Sequence, residues 1–172
     1  MVSQKGGKQL LKLARAAING KKFSLEGFNQ KQGLFLRIFY KKELRDAIGH
    51  VQPILTLKQA VVATAKATAY MDPKFLPDVK DKDYKIEITL IDKPVLIKKD
   101  YKKEIKLNKH GLILDYKEDS VVLLPQYAKE NKIKNVDDFL EFGCLKGGWK
   151  KDSWEKPEFK LFKFNVEIFS EK

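Results

Sequence analysis

Residues 34–49 read Leu34-Phe35-Leu36-Arg37-Ile38-Phe39-Tyr40-Lys41-Lys42-Glu43-Leu44-Arg45-Asp46-Ala47-Ile48-Gly49. Leu34, Leu36, Ile38 and Tyr40 alternate with Phe35, Arg37 and Phe39, the period of two that sends successive side chains to opposite faces of a strand. Lys41 and Lys42 interrupt the pattern and Leu44 to Ile48 resume it. The stretch therefore predicts a hairpin whose second strand ends at Gly49.

Helices flank this hairpin. Upstream, Leu10, Leu13, Ala14, Ala17 and Ile18 recur at helical spacing, with Lys12, Arg15 and Asn19 opposite and Gly20 as a stop. Downstream, Thr56 is placed to cap an Ala-rich helix over 57–70, which Asp72-Pro73 ends. Residues 84–91 alternate again, with Tyr84, Ile86, Ile88 and Leu90 on the inner face. The Lys-rich stretch 98–109, anchored by Ile105 and Leu107, predicts a solvated loop or an edge strand. Two apolar runs, 111–116 and 120–124, are joined by Lys117-Glu118-Asp119 as a second hairpin. Pro125 suits the first turn of a short helix, and Asn135 caps another with Asp137 and Asp138 in its first turn. Phe162, Phe164, Val166 and Ile168 form a closing strand, with Phe159 and Leu161 out of step as for a bulge. This order lacks regular strand–helix alternation. It predicts an α+β fold: a largely antiparallel sheet covered by helices, in one two-lobed domain over 1–172 with a smaller lobe around 34–83.

Composition narrows the function classes. The 172 residues carry 35 Lys+Arg against 23 Asp+Glu, a formal net charge of +12. Nearly all the excess is Lys, a hydrated point charge without the planar fork that Arg offers to guanine or phosphate, so specific nucleic-acid reading is not expected. Abundant Lys and Glu with few Met and Cys resemble proteins of hot-growing organisms. No run of about eighteen apolar residues suggests a membrane span, and no signal-peptide pattern opens the chain. The single Cys144 has no intramolecular partner. The expectation is a cytoplasmic chain without a membrane anchor.

No glycine-rich phosphate loop, nucleophile elbow, His-Glu-x-x-His or cluster of metal ligands occurs, and neither a cofactor nor a metal is expected. His50 and His110 lie far apart, and ordinary hydrogen-bonded or surface roles outweigh a shared zinc site. Cys144 reads as a small hydrophobe near a helix C-terminus, whose negative potential opposes thiolate formation. Gly49 and Gly111 read as turns or, alternatively, as places of close backbone approach to a ligand. Arg45, inside a predicted strand, requires a carboxylate: Asp72 within the chain, or a ligand.

Several blocks then stand in a recognisable order: Leu44-Arg45-Asp46-Ala47-Ile48-Gly49, Asp72-Pro73-Lys74-Phe75-Leu76-Pro77, His110-Gly111-Leu112-Ile113, Leu123-Leu124-Pro125-Gln126, Phe139-Leu140, Cys144-Leu145-Lys146-Gly147-Gly148 and Trp154. Together, over about residues 8–171, they resemble the AMMECR family. The family pattern at the second hairpin strand is Leu-Arg-Gly-Cys-Ile-Gly; here Asp46 and Ala47 replace its Gly-Cys, so chemistry needing that thiol is not available to this chain. The resemblance implies a two-lobed fold whose arginine-bearing strand faces a cleft, bordered here by Arg45, Ala47, Gly49, Asp72, His110, Gln126 and Lys146. It also implies a modification pathway shared with Memo-type and radical-SAM proteins. The expected role is an accessory module binding a small anionic ligand or a protein partner. The alternatives are an enzyme using His110 as acid or base, and a non-specific nucleic-acid binder.

Overall fold

The computed structural model describes residues 1–71, 83–98 and 100–171. Asp72 and Pro73, expected to end the second helix and, for Asp72, to pair with Arg45, lie outside them. The fold is α+β, and the chain divides into two units, Met1–Ile91 with Glu167–Lys172 and Asp92–Val166.

In the first unit α1 spans Gln4–Ile18. It begins before the periodic run because Ser3 Oγ accepts the Gly6 N–H at 3.1 Å, satisfying a donor that no helical carbonyl reaches. Strands β1 (Gly33–Tyr40), β2 (Glu43–His50) and β3 (Tyr84–Ile91) lie in the order β2-β1-β3, and α2 is Leu57–Tyr70. Leu34, Leu36 and Ile38 of β1 and Ile86, Ile88 and Leu90 of β3 are buried with Leu10, Ile18, Ala60, Ala65 and Ala69 in one core. The small Ala side chains let α2 approach this sheet face. Gln59 Oε1 accepts the Thr56 N–H at 3.2 Å and starts α2. Arg15 clamps the C-terminal end of the chain to α1, with Nε and Nη2 donating to the two carboxylate oxygens of Glu171 at 2.7 and 2.5 Å. The hairpin turn places Lys41 and Lys42 at φ 48° and 71°. Two successive left-handed residues match the right-handed strand twist, at roughly 1–2 kcal/mol each for side chains other than glycine.

In the second unit a one-turn helix, α3 (Tyr101–Glu104), precedes the strands of the second hairpin. There β5 (His110–Tyr116) lies between β6 (Asp119–Leu123) and the part of β7 (Lys160–Ser170) that precedes Glu167, and β4 (Val95–Leu96) pairs with the other edge of β7. Helices α4 (Gln126–Glu130) and α5 (Val136–Lys146) supply Ala128, Phe139, Leu140 and Cys144 to a core shared with Leu112, Leu114 and Leu123. Asn135 Oδ1 accepts the Asp138 N–H at 2.8 Å and caps α5. The β1–β2, β1–β3, β4–β7, β5–β6 and β5–β7 pairings are all antiparallel.

Two local expectations are corrected. The Lys-rich stretch is not merely loop or edge strand, because it holds α3, started by Asp100 at φ 53°. Tyr101 anchors that helix by donating its hydroxyl to Asp137 at 3.0 Å, a contact no periodicity reveals. The bulge expected near Phe159 and Leu161 is not in the β5–β7 ladder, which pairs Lys160 through Asn165 without a shift. The shift lies in the first hairpin, between Ile38 and Phe39, where Arg45 becomes the extra residue of β2.

Candidate functional site

The bulge decides which side chains share a face in the first unit. Beyond it Ala47 pairs with Arg37 and Gly49 with Phe35, on the face opposite α1 and α2. On strict alternation Arg45 would join Ala47. Instead its guanidinium carbon lies 5.4 Å from the centroid of the Tyr40 ring, a ring belonging to the core on the other face, and the side chain is exposed. Arg37 takes the place expected for Arg45. It is 1 % exposed, its Nε is 3.5 Å from Glu87 Oε1 on β3, and its guanidinium stacks 4.8 Å from the Phe39 centroid. Arg37 and Glu87 are also register partners, and Glu87 accepts the Ser170 hydroxyl at 2.8 Å. The sequence signal for this arrangement is Phe35-Leu36-Arg37-Ile38-Phe39, a charge enclosed by aromatics on its own face. His50 ends β2 with Nε2 buried and no hydrogen-bond partner among the described residues.

Neither glycine expected at a turn lies in one. Gly49 lies in β2, where a Cβ would come within 2.4 Å of both the Leu34 carbonyl and the Phe35 ring. Gly111 lies in β5, where a Cβ would meet the Phe164 ring at 2.2 Å. Phe35 and Phe164 are their cross-strand partners, so each glycine is the floor on which a phenyl ring lies. Adding a methyl group there is overpacking of the kind that costs about 1–3 kcal/mol.

In the second unit His110 Nδ1 accepts the Lys106 N–H at 3.2 Å, which leaves the ring proton on Nε2. Burial first, then Lys163 and Lys109, hold its pKa below the ordinary value. Lys163 itself is bound to Glu104 at 2.8 Å. Lys146 is exposed, with its ammonium 5.4 Å from the centroid of Tyr127, the residue beside Gln126. Cys144 is wholly buried, and burial pushes its thiol up. Of the expected cleft residues, then, Arg45, Ala47 and Gly49 stand on β2 of the first unit and His110, Gln126 and Lys146 in the second, while Asp72 is outside the described residues.

A cavity of about 470 Å³ that the sequence did not announce opens in the second unit. Ile97, Tyr101, Leu140, Trp154, Phe159 and Leu161 form its walls, with Lys98, Asp100 and Glu155 as its charged lining. Tyr101 and Trp154 meet edge to face, centroids 5.4 Å apart. Among the described residues no group of three or more His, Cys, Asp or Glu is placed to hold a metal ion, and no helix is long and apolar enough to cross a membrane.

The sequence profile of the AMMECR1 family matches residues 11–169. The chain belongs to the AMMECR1 family. It is similar to protein MJ0810 of Methanocaldococcus jannaschii, 34% identical across 94% of this chain and 88% of that one. It is also similar to a protein of Aquifex aeolicus, 35% identical across 86% and 78%. Among solved structures, the uncharacterized protein PH0010 from Pyrococcus horikoshii matches 99% of this chain and 94% of its own, with a TM-score of 0.88 at 28% identity. Ala47, at the position where the resemblance led one to expect a thiol, is the register partner of the buried Arg37.

Proposed function

We propose that the protein is a ligand-binding accessory module, acting in the pathway with Memo-type and radical-SAM proteins that the family resemblance implies, and that the cavity of the second unit takes its ligand. What supports this reading is the cavity's make-up. Its volume lies within the range of small-ligand sites, its walls are apolar and aromatic, and a few charged groups lie at its exposed positions. Tyr101, Trp154 and Phe159 favour a flat, largely apolar group. Among the described lining residues Lys98 is the one cation, alongside Glu155 and an Asp100 already paired with Lys103 at 3.2 Å, and it is beside Lys98 that an anionic substituent, the charge type expected of the ligand, would pair.

The test uses anilinonaphthalene sulfonate, a planar aromatic anion, as the probe. The protein has two tryptophans, so Trp149→Phe leaves Trp154 as the sole reporter. Saturable quenching of Trp154 is expected, and Ile97→Phe, which narrows the cavity without adding a second tryptophan, should weaken binding at least about tenfold. Unchanged probe binding in a folded Ile97→Phe protein would overturn the assignment.

A further inference from the structure

A second surface, in the first unit and independent of that cavity, has an unusual combination of shape and charge. A groove of about 620 Å³ runs along α2 beside the segment that follows α1. Leu13, Phe23, Leu25, Leu55 and Val62 make it apolar, and among the described residues Lys58 and Lys66 are the only charged groups lining it. Phe23 is 38 % exposed, and Ile54 next to Leu55 is 66 % exposed. Such side chains in water stand at a cost that a partner would remove.

The charge around the groove is one-sided. Neither α1 nor α2 contains an Asp or Glu, and Glu26 is the single acidic residue before Glu43. Lys58 and Lys66 enter no ion pair among the described residues. We infer that this groove docks an acidic amphipathic helix of a partner protein, its apolar face on Phe23, Leu55 and Val62 and its carboxylates on Lys58 and Lys66. The two lysines are eight positions apart on one helix, about 12 Å at 1.5 Å per residue. A helix lying along α2 meets both when its acidic residues stand seven or eight apart, the same repeat that keeps its apolar residues in the groove. Two lysines flanking a recessed apolar floor fit this occupant better than a nucleic-acid backbone, which needs a continuous basic track.

The experiment uses the full chain and synthetic helical peptides of about 18 residues with Leu at positions i, i+3, i+4 and i+7. One peptide carries Glu at the flanking positions and its control carries Lys. Fluorescence anisotropy should show the Glu peptide binding at least about tenfold tighter. Lys58→Glu with Lys66→Glu should reverse that preference, and Val62→Arg should abolish binding of both. Because Lys66 is exposed, Lys66→Glu alone keeps the test available should the double variant fail to fold. Equal binding of the two peptides, a preference indifferent to the charge reversal, or charge-dependent binding to phosphatidylglycerol vesicles without binding to the Glu peptide would each overturn the inference.

Discussion

Arg37 in the first unit and Trp154 in the second are each the centre of their unit's most unusual surroundings, and the surroundings differ in kind. Arg37 is closed off, with its charge met by Glu87 and its face by Phe39. Trp154 lines an open cavity whose charged groups are left to solvent. Taking an ion out of water costs several kcal/mol, and a paired buried charge returns that cost only while its partner stays in place. The first arrangement is thus committed to holding the sheet together, whereas the second leaves surface that a ligand can cover. An arginine in a strand invites a functional reading; Arg37 is buried and paired with Glu87, whereas Arg45 is exposed with its guanidinium over the Tyr40 ring.

The comparison breaks most visibly at Glu87. Glu87→Ala leaves a guanidinium almost without solvent and without its carboxylate, so a loss of about 3–5 kcal/mol is expected in urea unfolding. Arg37→Met with Glu87→Leu removes both desolvation costs and should recover most of that loss. If Glu87→Ala instead costs under about 1 kcal/mol, the pair behaves as a solvated one and the face is open after all.

How much of this was legible depended on whether a feature repeats. The first hairpin, α2 and β3 were readable to within a residue or two because Leu34 to Tyr40, the Ala-rich run and Tyr84 to Leu90 each hold one period over several residues. α3 was not, because a single turn started by a left-handed Asp100 has no period to show. Nor was the bulge, since Glu43-Leu44-Arg45-Asp46 contains no glycine to mark it. That one inserted residue redirects side chains, so strict alternation from the sequence sets Arg45 beside Ala47 where the structure sets Arg37. Of the expected cleft positions, Arg45, Ala47 and Gly49 all lie on β2, but the bulge takes Arg45 off the face that Ala47 shares with Arg37. The cavity was invisible for another reason: Ile97, Tyr101, Leu140, Trp154 and Phe159 come from separate stretches, and only tertiary structure collects them.

A sharper comparison uses a thiol in each unit. Ala47→Cys, made with Cys144→Ala so that the introduced thiol is the sole one, places sulfur opposite Arg37 on the same sheet face. A neighbouring cation favours thiolate, whereas burial holds Cys144 as a thiol. Alkylation of the introduced thiol at neutral pH should outpace that of Cys144 in the wild-type chain by at least about tenfold, the ratio that one pKa unit gives. Arg37→Met should slow it and Arg45→Ala should leave it alone. The pH at which each alkylation rate rises gives the thiol's pKa and the high-pH plateau its accessibility, which separates ionisation from the burial of Cys144. If Arg45→Ala is the variant that slows the reaction, the face assignment is wrong.

The smallest expected effect belongs to His110, and it tests whether the second unit's polar groups are held by burial or merely by neighbouring charge. Its pKa lies below the ordinary 6.5, with burial the leading cause and Lys163 and Lys109 behind it, while the backbone of Glu104 pulls the other way. The Lys106 N–H bound to Nδ1 acts in the same direction as burial, because protonation would set two hydrogens against each other there. The unfolded chain therefore takes up this proton at a higher pH than the folded one. Stability from this group is complete above the unfolded value, falls as pH drops through about 6.5, and levels off below the folded value. Comparing denaturation midpoints on either side of that window, the wild type should lose more stability on acidification than His110→Gln, whose amide oxygen still accepts the Lys106 N–H. Salt at about 0.5 M screens the two lysines but not burial. Most of the difference should survive it, and a difference abolished by salt would show that the lysines, rather than the packing around His110, keep the ring neutral.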